Sequence, residues 1–195
     1  KGSITYDGID IKLIKKEALR KSLGIVLQDT HLFSGTIRDN IRYGKPDASD
    51  EEVMKAADAA YVDHFIRTLD HGYDTMINEE SSNISQGQKQ LLTIARAILK
   101  DPSILILDEA TAFADPDNEA KVQQAFTKLS AGKTVIMIAH RLSSVVDADR
   151  ICVLKDGGIV EQGNHEILLE QNGLYAHMWE EYNKSVSWKV GKGEK

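Results

Sequence analysis

A continuous apolar run, Ile104-Leu105-Ile106-Leu107, closes on two carboxylates, Asp108 and Glu109, and is preceded by an amphipathic segment that opens on Ser85. No other feature of the chain constrains its fold so tightly. A short apolar run bounded by Asp101-Pro102 suits a parallel strand covered on both faces. The segment before it carries Leu91, Leu92, Ala95, Ile98 and Leu99 at helical spacing, with Arg96 and Lys100 towards its end, where cations are favoured. Ser85 is a good N-cap and Gln88, three residues on, completes a capping box, so the helix is predicted to start just after Ser85.

The junctions of these two elements have a chemistry of their own. The first turn of a helix points free N–H groups outward, its dipole adds partial positive charge, and Gly87 lets another group approach closely. Asn83-Ile84-Ser85-Gln86-Gly87-Gln88 is therefore a candidate phosphate seat. Carboxylates just past the carboxyl end of a parallel strand lie where open α/β sheets bind ligands. Asp108 suits a divalent cation such as Mg²⁺, and Glu109 suits the orientation or deprotonation of an attacking water.

With these residues in view, the chain resembles the nucleotide-binding domain of ABC transporters, of the exporter half-transporter type. Ile84-Ser85-Gln86-Gly87-Gln88 is similar to the family signature LSGGQ, and Ile104 to Glu109 to its Walker B strand with the catalytic glutamate. Gln28, after the apolar strand Gly24-Ile25-Val26-Leu27, resembles the Q-loop glutamine. His140, after Thr134 to Ala139, resembles the switch histidine. The motifs fall in the family's order from Lys1 to about Tyr182. The resemblance implies an α/β fold: an ABC-type P-loop ATPase core with a mainly parallel sheet, an N-terminal antiparallel hairpin and a helical subdomain.

It also implies roles. Glu109, His140 and Gln28 would be catalytic, Asp108 and Gln28 would serve the Mg²⁺, and Ser85, Gln86, Gly87, Gln88 and Asp115 would contact ATP. The signature residues would act in trans, on ATP held by a second nucleotide-binding domain, in a homo- or heterodimer that closes around two ATP molecules. A transmembrane domain of the same polypeptide would be the other partner, and the domain would lie on the cytoplasmic face of the plasma (inner) membrane. Glu79 to Asn83 resembles the loop through which exporters reach their membrane helices. Two departures stand out. Gln86 takes a place where many members have glycine, and Ala112 and Phe113 alter the approach to Asp115, a variant similar to siderophore-moving domains, whereas the first half is more like multidrug exporters.

The sequence contains no GxxxxGK[ST] loop, whose backbone would cradle phosphates. Gly132-Lys133-Thr134 imitates its end but leads into a strand, so it reads as a turn. The expectation is an N-terminally truncated domain that is inactive alone. Two alternatives remain: a noncatalytic dimer partner that lends its signature in trans, and a soluble ABC ATPase, which the short span from Gln28 to Ser85 disfavours.

Organisation follows from pattern. Residues 1–184 read as the partial nucleotide-binding domain, with 1–28 and 101–184 as core parts and 29–100 as the helical subdomain, and 185–195 as a flexible tail. Asp7-Gly8 between alternating apolar residues predicts a hairpin, and Ser49 with Glu52 announces a helix. Further helices are expected near Lys15 to Ser22, His64 to Leu69 and Gly173 to Tyr182. Lys155 to Gly158 reads as a turn between strands. A net charge of -6 excludes a basic nucleic-acid footprint. The single Cys152 excludes a disulfide scaffold within the chain and reads as a core thiol.

Overall fold

The computed structural model describes residues 2–27, 31–78, 84–108, 116–139 and 142–190, the side chains of 116–119 and 185–190 excepted. The chain divides into two compact units, Lys1–Ile138 and Ala139–Lys195.

The first unit opens on the predicted hairpin, β1 (Thr5–Tyr6) and β2 (Ile9–Asp10), paired antiparallel. Asp7 (φ 48°) and Gly8 (φ 80°) both take the left-handed conformation that a two-residue hairpin turn requires. Helix α1 (Lys16–Ser22) leads into β3 (Leu23–Val26). The helical part follows: α2 (Ile37–Arg42), α3 (Asp50–Ala59), α4 (Asp63–Arg67) and α5 (Gln86–Lys100), with a small ribbon of β4 (Gly35–Thr36) and β5 (Met76–Ile77). Capping boxes start three of these helices: Thr36 with Asp39, Ser49 with Glu52, and Ser85 with Gln88. Strand β6 (Ile104–Asp108), α6 (Pro116–Ser130) and β7 (Thr134–Ile138) complete the unit. Gly132, at φ 70°, makes the turn into β7, as the sequence of Gly132-Lys133-Thr134 suggests.

Strands β3, β6 and β7 form one parallel sheet with β6 in the middle. Helix α5 lies at the centre of the packing, against α2, α3, α6 and β3. It buries Ile94 and Ala97 as well as Leu91, Leu92 and Ala95, so its apolar arc is wider than the sequence pattern indicates. The expectation of cover on both faces of the sheet holds for one face only. Val26, Leu105 and Leu107 are buried under the helices, whereas Ile25 and Ile136, which flank Ile106 in register, are 55% and 52% exposed. The reason lies in layering: α5 and α6 share one core with Val26, Leu105 and Leu107, and the opposite side has no comparable cover among the described residues.

In the second unit, β8 (Ile151–Lys155) and β9 (Gly158–Gly163) form an antiparallel hairpin through Asp156 and Gly157, both at positive φ. Helix α7 (His165–Glu170) and helix α8 (Leu174–Val190) follow. The latter runs beyond Tyr182, where its sequence periodicity fades. The Glu161 carboxylate of β9 accepts hydrogen bonds from the Leu174 and Tyr175 amides and so caps the start of α8. A small core of Ile151, Val153, Leu168 and Tyr175 holds the unit. Cys152 is exposed, which corrects the core-thiol reading. Strand alternation explains it: Ile151 and Val153 take the inward positions of a two-stranded ribbon, and the residue between them faces out.

Candidate functional site

The N-terminus of α5 has the geometry its sequence predicts. Ser85 Oγ accepts from the Gln88 amide at 3.2 Å, and Gln88 Oε1 accepts from the Ser85 amide at 2.9 Å. These two bonds close between residues three apart in sequence and fix the entry of the chain into the helix. Ser85 and Gln86 remain exposed, while Gly87 is buried and Gln88 half-buried. The positive end of a helix of 15 residues thus faces outward at Ser85, which is the electrostatic condition for receiving an anion.

Asp108 sits half-buried as the last residue of β6, paired in register with Ile138 of β7. The carboxyl ends of β3, β6 and β7 lie side by side, because Val26 is opposite Leu107 and Leu107 is opposite Met137. In sequence, Gln28 follows the end of β3 by two residues, Glu109 follows Asp108 directly, and His140 follows the end of β7 by two. Gln28, Glu109, Asp115, His140 and the stretch from Glu79 to Asn83 lie outside the described residues.

The residues that are described fit ATP with Mg²⁺ by their donor chemistry. An outward helix N-terminus suits phosphate, and Asp108 is a hard oxygen ligand at the edge of a parallel sheet. No group of three or more His, Cys, Asp and Glu converges among the described residues.

A second polar centre connects α5 to the segment that follows Gln28. Arg96, which the sequence places towards the helix end, is turned inward. Its Nε donates to the Asn40 carbonyl at 2.8 Å, its Nη2 to Asn40 Oδ1 at 3.0 Å, and its Nη1 to the His31 carbonyl at 3.2 Å. The guanidinium also lies 5.0 Å from the Phe33 ring centre and 5.7 Å from that of Tyr43. Burial lowers the Arg96 pKa from its ordinary value, and no carboxylate pairs with it among the described residues. Asn40, only 2% exposed, accepts from the Phe33 amide and donates to the Phe33 and Thr36 carbonyls. Gly44 rests on the Arg96 carbonyl so closely that a Cβ there would collide with it. The sequence does carry one signal: Leu92, Arg96 and Leu99 are spaced as neighbours on one arc of the helix.

Residues 1–112 match the family model described as ABC transporter. The chain belongs to the ABC transporter family. It is 55% identical over 175 residues to an uncharacterized ABC transporter ATP-binding protein, YknV, of Bacillus subtilis (strain 168), which covers 90% of this chain and 29% of that protein. It is 51% identical over 179 residues to heavy metal tolerance factor 1 of Caenorhabditis elegans, covering 92% of this chain and 22% of that one. Among solved structures it is similar to a bacterial Atm1-family ABC exporter with ATP bound, at 44% identity and a TM-score of 0.85, covering 93% of this chain and 32% of that chain. The chain therefore spans less than a third of the length of these relatives, and what it shares with them is the α/β fold of an ABC ATPase.

Proposed function

We propose that this ABC chain is most of the ATP-hydrolysing domain of an exporter, which powers movement of a substrate across a membrane. The observation that supports this best is the coexistence of the outward, capped N-terminus at Ser85 with Asp108 at the carboxyl edge of the sheet, in a chain so similar to ATP-binding exporter proteins.

In this reading Asp108 would hold a Mg²⁺ ion and Gln28 would serve it. The cation supplies positive charge against the phosphate oxygens. The Glu109 carboxylate takes a proton from the attacking water, Gln28 orients that water, and His140 donates a hydrogen bond towards the γ-phosphate. Ser85, Gln86, Gly87 and Gln88 contact ATP held by a partner domain, and Asp115 reaches across the same dimer interface. Because ATP then binds both domains, its binding energy favours the closed pair, and loss of the γ-phosphate releases it. The helical part from residue 29 to 100 passes this motion to a transmembrane domain. Residues 1–184 act together as this domain on the cytoplasmic side of the membrane. Residues 1–195 contain no GxxxxGK[ST] loop and are proposed not to turn over ATP by themselves.

Cargo choice lies outside this domain. Relatives named for fatty acid transport and for heavy metal tolerance are 49% and 51% identical to it over nearly the same stretch.

The test is Glu109→Gln in the whole polypeptide. ATP binding is expected to persist, while turnover falls about a hundredfold to ten-thousandfold, the usual worth of a general base. Turnover at the unmodified rate would overturn the assignment.

A further inference from the structure

The segment 31–36 begins three residues after Gln28 and contains little regular structure of its own. Four of its polar backbone groups end on two side chains. The Phe33 amide and the Phe33 and Thr36 carbonyls bond Asn40, and the His31 carbonyl bonds Arg96, which in turn bonds both the carbonyl and the side chain of Asn40. Arg96 stands on the same helix as Ser85. The partners of Arg96 are 56 and 65 residues away in sequence, so these bonds join elements that nothing local connects.

The choice of arginine is informative. An apolar side chain could pack on Phe33 and Tyr43 without the desolvation cost of a charge. A lysine would keep the charge but offers one nitrogen, whereas the guanidinium presents Nε, Nη1 and Nη2 in a rigid plane and here uses all three. What arginine adds is direction, and direction fixes where the segment sits on the helix.

We propose that Arg96 is a positioning residue of the ATPase reaction: it locks the segment that follows Gln28 onto the helix that starts at Ser85, so that the two move as one body. This deepens the function proposed above and rests on its reading of Gln28 and Ser85 as ATP-contacting groups. Arg96 acts on the reaction through the segment it holds, which begins three residues beyond Gln28 in sequence.

The test uses the whole polypeptide in four forms: unmodified, Arg96→Lys, Gln28→Ala, and both changes together. Arg96→Lys is expected to lower kcat about tenfold to a hundredfold, the usual effect of a displacement near 1 Å in a catalytic group, with KM for ATP changed less than about twofold. When Gln28 is already alanine, Arg96→Lys should lower kcat by less than about twofold, because the group it places is gone. A full, multiplicative loss in the double variant would overturn the proposal. So would a fall in KM and kcat that follows only a fall in thermal midpoint.

Hydrogen exchange on the same variants reads the locking without turnover. The Phe33 amide should exchange about tenfold faster in Arg96→Lys, while amides in the first two turns of α5 keep their rates. Unchanged exchange at Phe33 would overturn the proposal. Absence of ATP turnover in the unmodified polypeptide, with faster exchange at Phe33 still seen in the variant, would instead defeat the ATPase reading and leave the lock as a structural link.

Discussion

Helix α5 is held in opposite ways at its start and towards its end. At the start, Ser85 and Gln88 bond each other, neighbours three residues apart, and leave Ser85 and Gln86 facing solvent. Around Arg96, the partners are His31, Asn40 and the rings of Phe33 and Tyr43, all from distant sequence. A local cap needs no packing and keeps its donors outward whatever the rest of the molecule does. A fork of three long-range bonds exists only when α2 and α5 are in register. The contrast teaches that one helix can offer a ready surface at one end and sense its neighbours near the other.

Stability measurements would sharpen or break that contrast. Leu92, fully buried in the middle of α5, should cost about 2–5 kcal/mol when changed to alanine, read from urea denaturation. Gly44→Ala should cost about 1–3 kcal/mol, because the new methyl meets the Arg96 carbonyl and forces α2 off α5. Ser85→Ala should cost only about 1 kcal/mol, the worth of one cap, while ATP turnover falls far more than stability does. If Ser85→Ala proved as destabilising as Gly44→Ala, the first turn would also be held at a distance and the contrast would fail.

The smallest expected effect depends on pH. Helices α2 and α3 begin with boxes closed by carboxylates, whereas α5 closes its box with Gln88, which does not titrate in this range. Asp39 is held below its ordinary 3.8 by hydrogen bonds from Thr36, and Glu52 below its ordinary 4.5 by Lys45 and by the Ser49 amide. A depressed carboxylate contributes stability that is present above the ordinary pKa and is lost as pH falls through the lower, folded value. Between pH 6 and pH 3 the Thr36 and Ser49 amides should therefore lose hydrogen-exchange protection, after correction for intrinsic rates, while the Ser85 amide keeps its own. Equal loss at all three would show that acid loosens the whole unit rather than its carboxylate caps.

The features legible in the sequence are those made by neighbours. The Asp7-Gly8 hairpin, the Ser49 and Ser85 boxes, and the strands through Ile104 and Thr134 each rest on a pattern a few residues long, and each forms. Helix α2 escapes a sequence reading although Thr36 and Asp39 spell a box, because six residues give too little periodicity to support it. Asn40 carries no pattern at all, since its partners lie 4, 7 and 56 residues away. Arg96 reads only as a cation favoured near a helix end, because its partners His31 and Asn40 lie 65 and 56 residues away. Cys152 reads as a core residue because an apolar strand suggests burial on both sides, and a two-stranded ribbon has only one inside. Of the candidate site, Ser85, Gly87, Gln88 and Asp108 are legible at helix and strand ends, where chemistry follows directly from backbone geometry.

The length of α5 between its two ends gives it mechanical leverage. Eleven residue steps of α-helix lead from Ser85 to Arg96, a rod of about 16 Å at 1.5 Å per residue. A tilt of about 10° about the Arg96 end would sweep Ser85 through about 3 Å, the length of one hydrogen bond. A slight pivot at a half-buried arginine is thus enough to make or break contact at the exposed tip.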